Sequence, residues 1–228
     1  MIIRCLFFLL LCSNVAIAQK NRALDIQLLF QGQKLVLDSS YWIAQKQDSI
    51  QISTCKFYLS NIELLQDGEV VFRPTKKHFL IDISQPNSLS IDLSNKKKLV
   101  FNQFRYTLGI DSTTQVAGAM GKDLDPVNGM YWTWQSGYIN CKIEGYSSHC
   151  TTRNHFFQYH LGGYQAPFST QKTCTLLLNS QQDQWILYFD IARFLEQTDL
   201  VRLPEIMSPQ AEAVRLAHIV AQLFSTKP

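Results

Sequence analysis

The sequence predicts an all-β fold, a two-layer antiparallel β-sandwich, and three features of the chain lead to this prediction. Short runs with strand character follow one another, and residues 25–30 alternate polar and apolar side chains as a half-buried strand does. Turn-rich pieces such as Gln66-Asp67-Gly68 separate these runs. No linker, low-complexity tract or internal repeat divides the chain. Many short strands at this spacing favour an antiparallel sandwich or barrel.

The individual strands are expected where apolar, β-branched and aromatic residues cluster between turn signals. These runs cover residues 25–30, 34–37, 50–59, 62–65, 70–72, 78–83, 89–93, 99–108, 129–144, 155–161, 173–178 and 184–190.

Two helices interrupt the strand pattern near the C-terminus. Asp190 can cap a short helix over residues 191–197. Ser208 and Pro209 mark the N-terminus of a second helix, over residues 209–224, because Pro is tolerated at the first helical position. Apolar residues recur at helical spacing along this segment, so we expect it to pack on the β core.

The N-terminus predicts export. Arg4 precedes the apolar run Cys5–Leu11, and Ala16-Ile17-Ala18 matches the small-x-small pattern of a signal-peptidase site. Residues 1–18 are therefore a predicted signal peptide, residues 19–228 form the mature domain, and a periplasmic or secreted location follows. Lipidation at Cys12 is the alternative, although a small residue normally precedes a lipidated cysteine.

Composition bounds the chemistry of the mature chain. Four cysteines remain after cleavage, at positions 55, 141, 150 and 174, and an even number in an oxidising compartment predicts at least one disulfide. The net charge is +3, and Lys96-Lys97-Lys98 reads as a solvated turn, so no nucleic-acid partner is expected. No further segment approaches membrane-spanning length.

The stretch Leu124–Tyr138, LDPVNGMYWTWQSGY, is the most distinctive in the chain. Its first residues are typical of a turn, and the remainder predicts a strand. Alternate residues of a strand share one face, so Trp132, Trp134, Ser136 and Tyr138 are expected to point the same way. Such a face forms either a large core layer or the wall of a binding site.

A second stretch, Asn154–Tyr164 with sequence NHFFQYHLGGY, contains two of the five histidines. His160 shares a predicted strand face with Phe156 and Gln158, whereas His155 lies on the other face, so in a regular strand the two imidazoles cannot be neighbouring ligands of one metal. Gly162-Gly163 ends the strand and allows a close approach of another group. No nucleophile elbow, P-loop, dinucleotide fingerprint or HExxH is present. The sequence therefore predicts a protein without enzymatic activity.

With GMYWTWQSGY, NHFFQYHLGG and IMSPQAEAVRLA, together with KFYLSNIELL and FRYTLGIDS, the chain resembles the MbnP-like family over nearly all of its mature length. These are periplasmic copper-binding proteins named for a methanobactin-associated protein, and this chain looks most like the Bacteroidetes-type branch. The resemblance implies a β-sandwich that holds copper through histidines and a tryptophan oxidised to kynurenine. It also implies a dihaem peroxidase-like partner.

Transferred to this sequence, the resemblance makes His160 the histidine ligand and Trp132 or Trp134 the oxidisable indole. One departure stands out. Copper-binding members tend to carry an Asn-His pair shortly after the segment that matches Leu108–Asp111, and this chain has Ser112–Val116 there, without histidine. A copper site would then need His78, His149 or His155 to fold in from elsewhere. The two functions that follow are copper sequestration or delivery and, as the alternative, a metal-free module that binds through its aromatic face.

Overall fold

Two β-sheets pack face to face in the computed structural model, which describes residues 23–94, 99–134, 137–178, 180–182 and 184–227. The predicted signal peptide, its alternative at Cys12, the three-lysine run and Ser136 lie outside the described residues. In chain order the strands are β1 (Ala23–Phe30), β2 (Gln33–Lys34), β3 (Ser40–Ile43), β4 (Asp48–Gln66), β5 (Glu69–Phe72), β6 (His78–Asp82), β7 (Ser90–Asp92), β8 (Gln103–Leu108), β9 (Tyr131–Trp132), β10 (Gly137–Ser147), β11 (Phe156–Gly162), β12 (Lys172–Leu177), β13 (Trp185–Asp190), β14 (Glu205–Ile206) and β15 (Phe224–Ser225).

The strand pairing confirms the predicted sandwich. The smaller sheet has the order β15-β13-β1-β2, with β7 also on β1. The larger sheet has the order β12-β8-β4-β10-β11-β14, with β3, β5 and β6 on β4 and β9 on β10. Most pairs are antiparallel, as predicted, but β1 pairs with β13 and β11 with β14 in parallel. Parallel neighbours need a long crossover connection, and nearly all of the larger sheet lies between β1 and β13 in the chain.

Aromatic side chains join the two sheets at the centre of the core. Phe57 of β4 lies 5.2 Å from Phe189 of β13 and 5.3 Å from Phe224 of β15, measured between ring centroids. Phe189 and Phe224 are themselves 4.8 Å apart. Such tilted and edge-to-face pairs stabilise a core beyond the apolar area that they bury.

The long strand β4 differs from the prediction of two separate strands over residues 50–65. The chain continues through Ser60-Asn61 as one strand, and Asn61 adopts a left-handed φ of 49°. The register against β8 shifts between Ser60 and Glu63 at the same place. Asn tolerates this conformation, so a polar pair that predicted a break is instead a bulge that bends one strand.

The helices are α1 (Ser112–Ala117), α2 (Ala192–Glu196) and α3 (Ala211–Gln222). No helix in the described ranges is long and apolar enough to cross a membrane. The short helix is confirmed, one residue shorter at each end than predicted. Asp190 accepts a hydrogen bond from the amide of Ala192 at 3.0 Å, and its carboxylate also accepts the amides of Gln31 and Gly32 at the β1–β2 turn.

The C-terminal helix α3 packs on β11 and β12, as the apolar stripe predicted, but its start was misplaced. Gln210, with extended backbone, precedes the helix, and Ser208 does not cap it. Pro209 is instead held against the sheet, where a Cβ atom at Gly163 would lie 3.0 Å from its own Cβ. Pro209 therefore lies in the loop before the helix, close to Gly163. The helix also ends early, because residues 224–225 form β15.

The prediction of a disulfide is wrong for this structure, in which all four cysteines are free thiols. Cys55 and Cys141 both face the core on neighbouring strands, but they are diagonal to each other: Cys55 pairs with Ile143, and Cys141 with Phe57. Burial raises the pKa of both thiols. Cys174 lies in β12 at the edge of the larger sheet, two strands or more from Cys55 and Cys141, and the buried Cys55 and Cys141 act as small hydrophobic side chains.

Candidate functional site

The candidate site lies on the outer face of the larger sheet, which we define as the face turned away from the smaller sheet. Phe57 and Tyr159 point inward to the main core. Lys56 and His160, their alternating neighbours, therefore point outward. Lys142 of β10 pairs with Lys56 on one side and with His160 on the other, so these three side chains form one row across the outer face.

Residues 109–134 cover part of this outer face and create a second, smaller apolar core. Tyr138 anchors the cover, because its hydroxyl accepts the amide of Met120 at 3.1 Å and lies 3.1 Å from the carbonyl of Leu124. The Tyr58 hydroxyl donates to the carbonyl of Asp123 at 2.9 Å. The buried members of this core are Tyr58, Ile110, Leu124, Met130, Trp132, Tyr138 and Ile139.

The tryptophan-rich block is a β-hairpin and not the single strand that was predicted. Trp132 of β9 pairs with Gly137 of β10, so the chain reverses between them. Trp132 is buried, whereas Trp134 is 64% exposed. Their ring centroids are 5.9 Å apart. The prediction that Trp132 and Trp134 share one strand face is therefore wrong, because Trp134 lies in the turn. Of the two tryptophans, Trp132 is the one in the buried part of the site.

Trp132 packs directly on the backbone of β11. A Cβ atom at Gly162 would lie 2.5 Å from Cζ3 and 2.7 Å from Cη2 of the indole. Gly162 and His160 are two residues apart on one strand, so they share a face and their Cα atoms are about 7 Å apart. The indole nitrogen of Trp132 is buried and has no hydrogen-bond partner among the described residues. The group that closely approaches the glycine pair, as predicted, is thus the indole ring of Trp132, which lies against Gly162.

Buried amides fix the strand geometry beside this contact. The register of β10 against β11 shifts between Ile139 and Cys141, which leaves Asn140 as the bulged residue. The Asn140 side chain accepts the amide of Ile110 at 2.9 Å and donates to the Thr170 hydroxyl at 2.8 Å. Gln115 of α1 accepts the amide of Tyr138 at 2.7 Å. These bonds connect the covering segment to the sheet at the point where Trp132 docks.

His160 is 6% exposed, and its two ring nitrogens have different surroundings. Nε2 lies 2.7 Å from Oε1 of Glu144, whereas Nδ1 is buried without a hydrogen-bond partner among the described residues. Lys142 lies 3.3 Å from the same carboxylate oxygen. Burial alone would raise the pKa of Glu144, but the hydrogen bond from His160, the charge of Lys142 and a hydrogen bond from Thr54 lower that pKa to about 2.

The three histidines that a copper site would need, His78, His149 and His155, do not reach His160. Their strands separate His78 of β6 from His160 by three interstrand spacings of about 4.8 Å each, which places them at least about 14 Å apart. His155 precedes β11 with a left-handed φ of 58°, and its Nδ1 lies 2.8 Å from the carbonyl of Cys150. His149 follows the far end of β10. Within the described ranges, no group of three or more His, Cys, Asp or Glu residues is placed to hold a metal ion.

The segment where the resemblance looked for a second histidine forms the short helix α1. Asp111 caps α1 by accepting the amide of Thr114 at 3.0 Å, and its other oxygen lies 3.0 Å from Nε2 of His78. Burial alone would raise the pKa of Asp111, but the hydrogen bonds from His78 and Thr114 lower it. The α1 side chain that is buried against β10 is Gln115, an amide whose oxygen is engaged by a backbone amide.

A cleft opens next to Trp132, with a volume of about 220 Å³. Aromatic and backbone groups dominate its walls, and none of its lining residues carries a charge; they are Trp132, Gly137, Gly163, Tyr164, Gln165, Ala166, Phe168 and Pro209. Phe168 at the rim is 40% exposed. A neutral ligand or a peptide side chain suits such walls better than an ion does.

Sequence reasoning missed Glu144, Gln115 and Asn140. Glu144 is separated from His160 by sixteen residues, and only the strand register brings the two side chains together. The one available signal was alternation, since Lys142 and Glu144 occupy positions of one face and alternate with the apolar Cys141 and Ile143. Nothing in the sequence predicted that Gln115 and Asn140 are buried.

Two comparisons with known proteins give the same answer. The family model MbnP matches residues 19–208. Among solved structures, MbnP from Methylosinus trichosporium has a TM-score of 0.56 and 12% sequence identity, and the match covers 85% of this chain and 86% of that one. No curated protein sequence matches. The structural match supports the fold alone, and assignment to the Bacteroidetes-type branch stays a prediction.

Proposed function

Because this chain belongs to the MbnP family, we propose that it is an exported copper-binding protein that sequesters or delivers the ion without catalysis. His160 supplies the imidazole ligand in this proposal. The observation that carries it is the Nδ1 atom of His160, which is buried without a partner while the opposite nitrogen is bonded to a carboxylate. A metal-bound histidine typically binds the metal through one ring nitrogen and donates the N–H of the other to a carboxylate or a carbonyl.

The donor set decides what kind of copper site is compatible with these residues. The described residues offer one such imidazole nitrogen and no group of three protein ligands. A site with few protein ligands therefore fits better than a cage of histidines. Imidazole suits copper in general, and copper bound here would be cargo that the protein holds or transfers.

Trp132 is the better of the two candidate tryptophans. It lies on the same sheet face as His160, and it is buried, whereas Trp134 is mostly exposed. The family resemblance implies that an external oxidant, a dihaem peroxidase-like partner, converts one tryptophan to kynurenine, which offers an amine and a carbonyl oxygen that indole lacks. Peptide mapping of protein from its native host should place that mass increase on Trp132.

A copper titration of the metal-free protein tests the proposal. His160→Ala should weaken the binding of Cu(I) and Cu(II) by about tenfold or more, because the oriented nitrogen is lost. His78→Ala is the matched control, since His78 also lies against a carboxylate but three strands away. Circular dichroism verifies that both variants fold. Equal affinity of the wild type and the His160→Ala variant would contradict the proposal.

Export is part of the same proposal and rests on the N-terminal sequence. Secreted protein should begin at Gln19, which an intact mass measures. A lipid-modified Cys12 would contradict that start.

The uncharged cleft beside Trp132 favours a second candidate function, the binding of a neutral ligand or an aromatic peptide side chain. Binding of an aromatic peptide in the absence of copper, lost in a Phe168→Ala variant, would support this second function. If neither wild type nor the His160→Ala variant binds copper while the fold is intact, this aromatic module becomes the better description.

A further inference from the structure

The carboxylate of Glu144 lies on the covered face of the sheet between Lys142 and His160, and its shortest contact is with His160. Its side chain is 16% exposed and that of His160 is 7% exposed, so water competes little for their shared hydrogen bond. The two residues lie on adjacent strands, with Nε2 and Oε1 2.7 Å apart. This distance is typical of a hydrogen bond with a charged acceptor.

The chemistry of the pair determines which nitrogen of a neutral His160 carries the proton. A carboxylate can only accept, so the shared proton must belong to Nε2. A neutral imidazole has one N–H, and the lone pair then resides on Nδ1. Nδ1 is the nitrogen that has no partner among the described residues. The carboxylate therefore leaves the metal-binding lone pair on the buried, unbonded nitrogen.

Glu144 is itself held in place by its neighbours. The ammonium of Lys142 lies 3.3 Å from the same carboxylate oxygen and 3.3 Å from the carbonyl of Gly129 in the covering segment. Lys142 also pairs directly with His160 across the two strands. The cover, the lysine and the carboxylate thus form a continuous support beneath the imidazole.

We propose that Glu144 is the positioning residue of the site, which fixes the tautomer and the orientation of His160 so that Nδ1 is presented as a ligand. This inference rests on the proposed copper function, but its first consequence concerns the metal-free protein. Residues that orient a metal-bound histidine typically account for about 10- to 100-fold in metal affinity.

Nuclear magnetic resonance of the metal-free protein gives the first test. At a pH where His160 is neutral, its ring should be a single Nε2–H tautomer with a slowly exchanging Nε2 proton. Glu144→Ala should remove the exchange protection and produce a mixture of tautomers. Glu144→Gln should retain the single tautomer, because the amide oxygen can still accept from Nε2. An Nδ1–H tautomer in the wild type would overturn the inference without any variant being needed.

Copper affinity gives the second test. Glu144→Ala should weaken copper binding by about 10- to 100-fold, and Glu144→Gln should restore most of it. Glu205→Ala is the matched control, since Glu205 accepts a hydrogen bond from Gln158 at 2.8 Å on the neighbouring strand and does not contact His160. Copper binding that needs His160 but is the same in the Glu144→Ala variant would overturn this inference alone. Copper binding that is insensitive to His160→Ala would instead refute the proposed function, and the tautomer measurement would still decide the role of Glu144.

Discussion

Replacing Gly162 with alanine should show how strictly the Trp132 contact shapes this protein. The added methyl group would lie 2.5 Å and 2.7 Å from two indole carbons and 2.9 Å from the carbonyl oxygen of Tyr138. Gly162 does not have a left-handed φ, so alanine adds crowding but no backbone strain there. Overpacking a core site typically costs about 1–3 kcal/mol, and we expect the upper half of that range because one of the crowded atoms belongs to the backbone.

The assay is chemical and thermal unfolding of the wild type and the variant. For a chain of this length, about 1 kcal/mol corresponds to about 2–4 °C in Tm, so a fall of roughly 4–12 °C is expected. Gly121→Ala is the matched control, because no atom lies within 4 Å of a Cβ at that position and its φ is −97°. The control should change the free energy of unfolding by less than about 0.5 kcal/mol.

A double-mutant cycle identifies the contact responsible. The two crowded carbons belong to the six-membered ring of the indole, so Trp132→Phe should make room for the methyl group at Gly162. The double variant should then be more stable than the sum of the single effects predicts, by about 0.5–2 kcal/mol. The Tyr138 carbonyl limits this rescue. Additive effects, or a Gly162→Ala variant as stable as the control, would refute the packing argument.

Two further predictions concern charge and thiols. Burial alone would raise the pKa of Glu63, but hydrogen bonds from Arg105 and Arg73 and their charges lower it. The stabilisation is therefore complete above the unfolded pKa of about 4.3 and is lost as the pH falls through the lower folded value. The difference in unfolding free energy between the wild type and Glu63→Gln should be about 1–2 kcal/mol at neutral pH and should shrink under acid, whereas Glu69→Gln, at an exposed site, should show no such trend. Without reductant, Cys174 should react with a thiol reagent before the three buried cysteines, and all four should react after denaturation; fewer than four would reveal a disulfide.

The fold was predictable because alternation of side chains is a local property. Residues 25–30 lie in β1, and the apolar stripe of α3 packs against the β core, as an amphipathic helix is expected to do. Boundaries were harder where a tertiary contact opposes the local preference. Pro209 is the example: it lies close to Gly163, and the helix that its chemistry would begin starts at Ala211 instead.

The site was only partly predictable, because a β-site is assembled by register. His160 and Trp132 could be named from the family resemblance, but their relation depends on a hairpin reversal and on one bulge. If β10 had no bulge at Asn140, the pairing of Ile139 with Gly162 and of Cys141 with Leu161 could not both exist. A shift of one residue exchanges the two faces of a strand, so no reading of local sequence could place Glu144 beside His160.

The alternation of β10 and β11 separates the side chains that join the two sheets from those that form the candidate site. Cys141, Ile143 and Tyr159 face the main core, while Glu144 and His160 face outward, so each strand serves both faces with different residues. Substitutions on the outward face leave the contact between the two sheets intact. Because strand alternation divides the two roles, donors on the outward face can change while the sandwich stays the same. The fold matches that of a solved relative at 12% identity, and an amide, Gln115, lies in the segment where the resemblance looked for histidine.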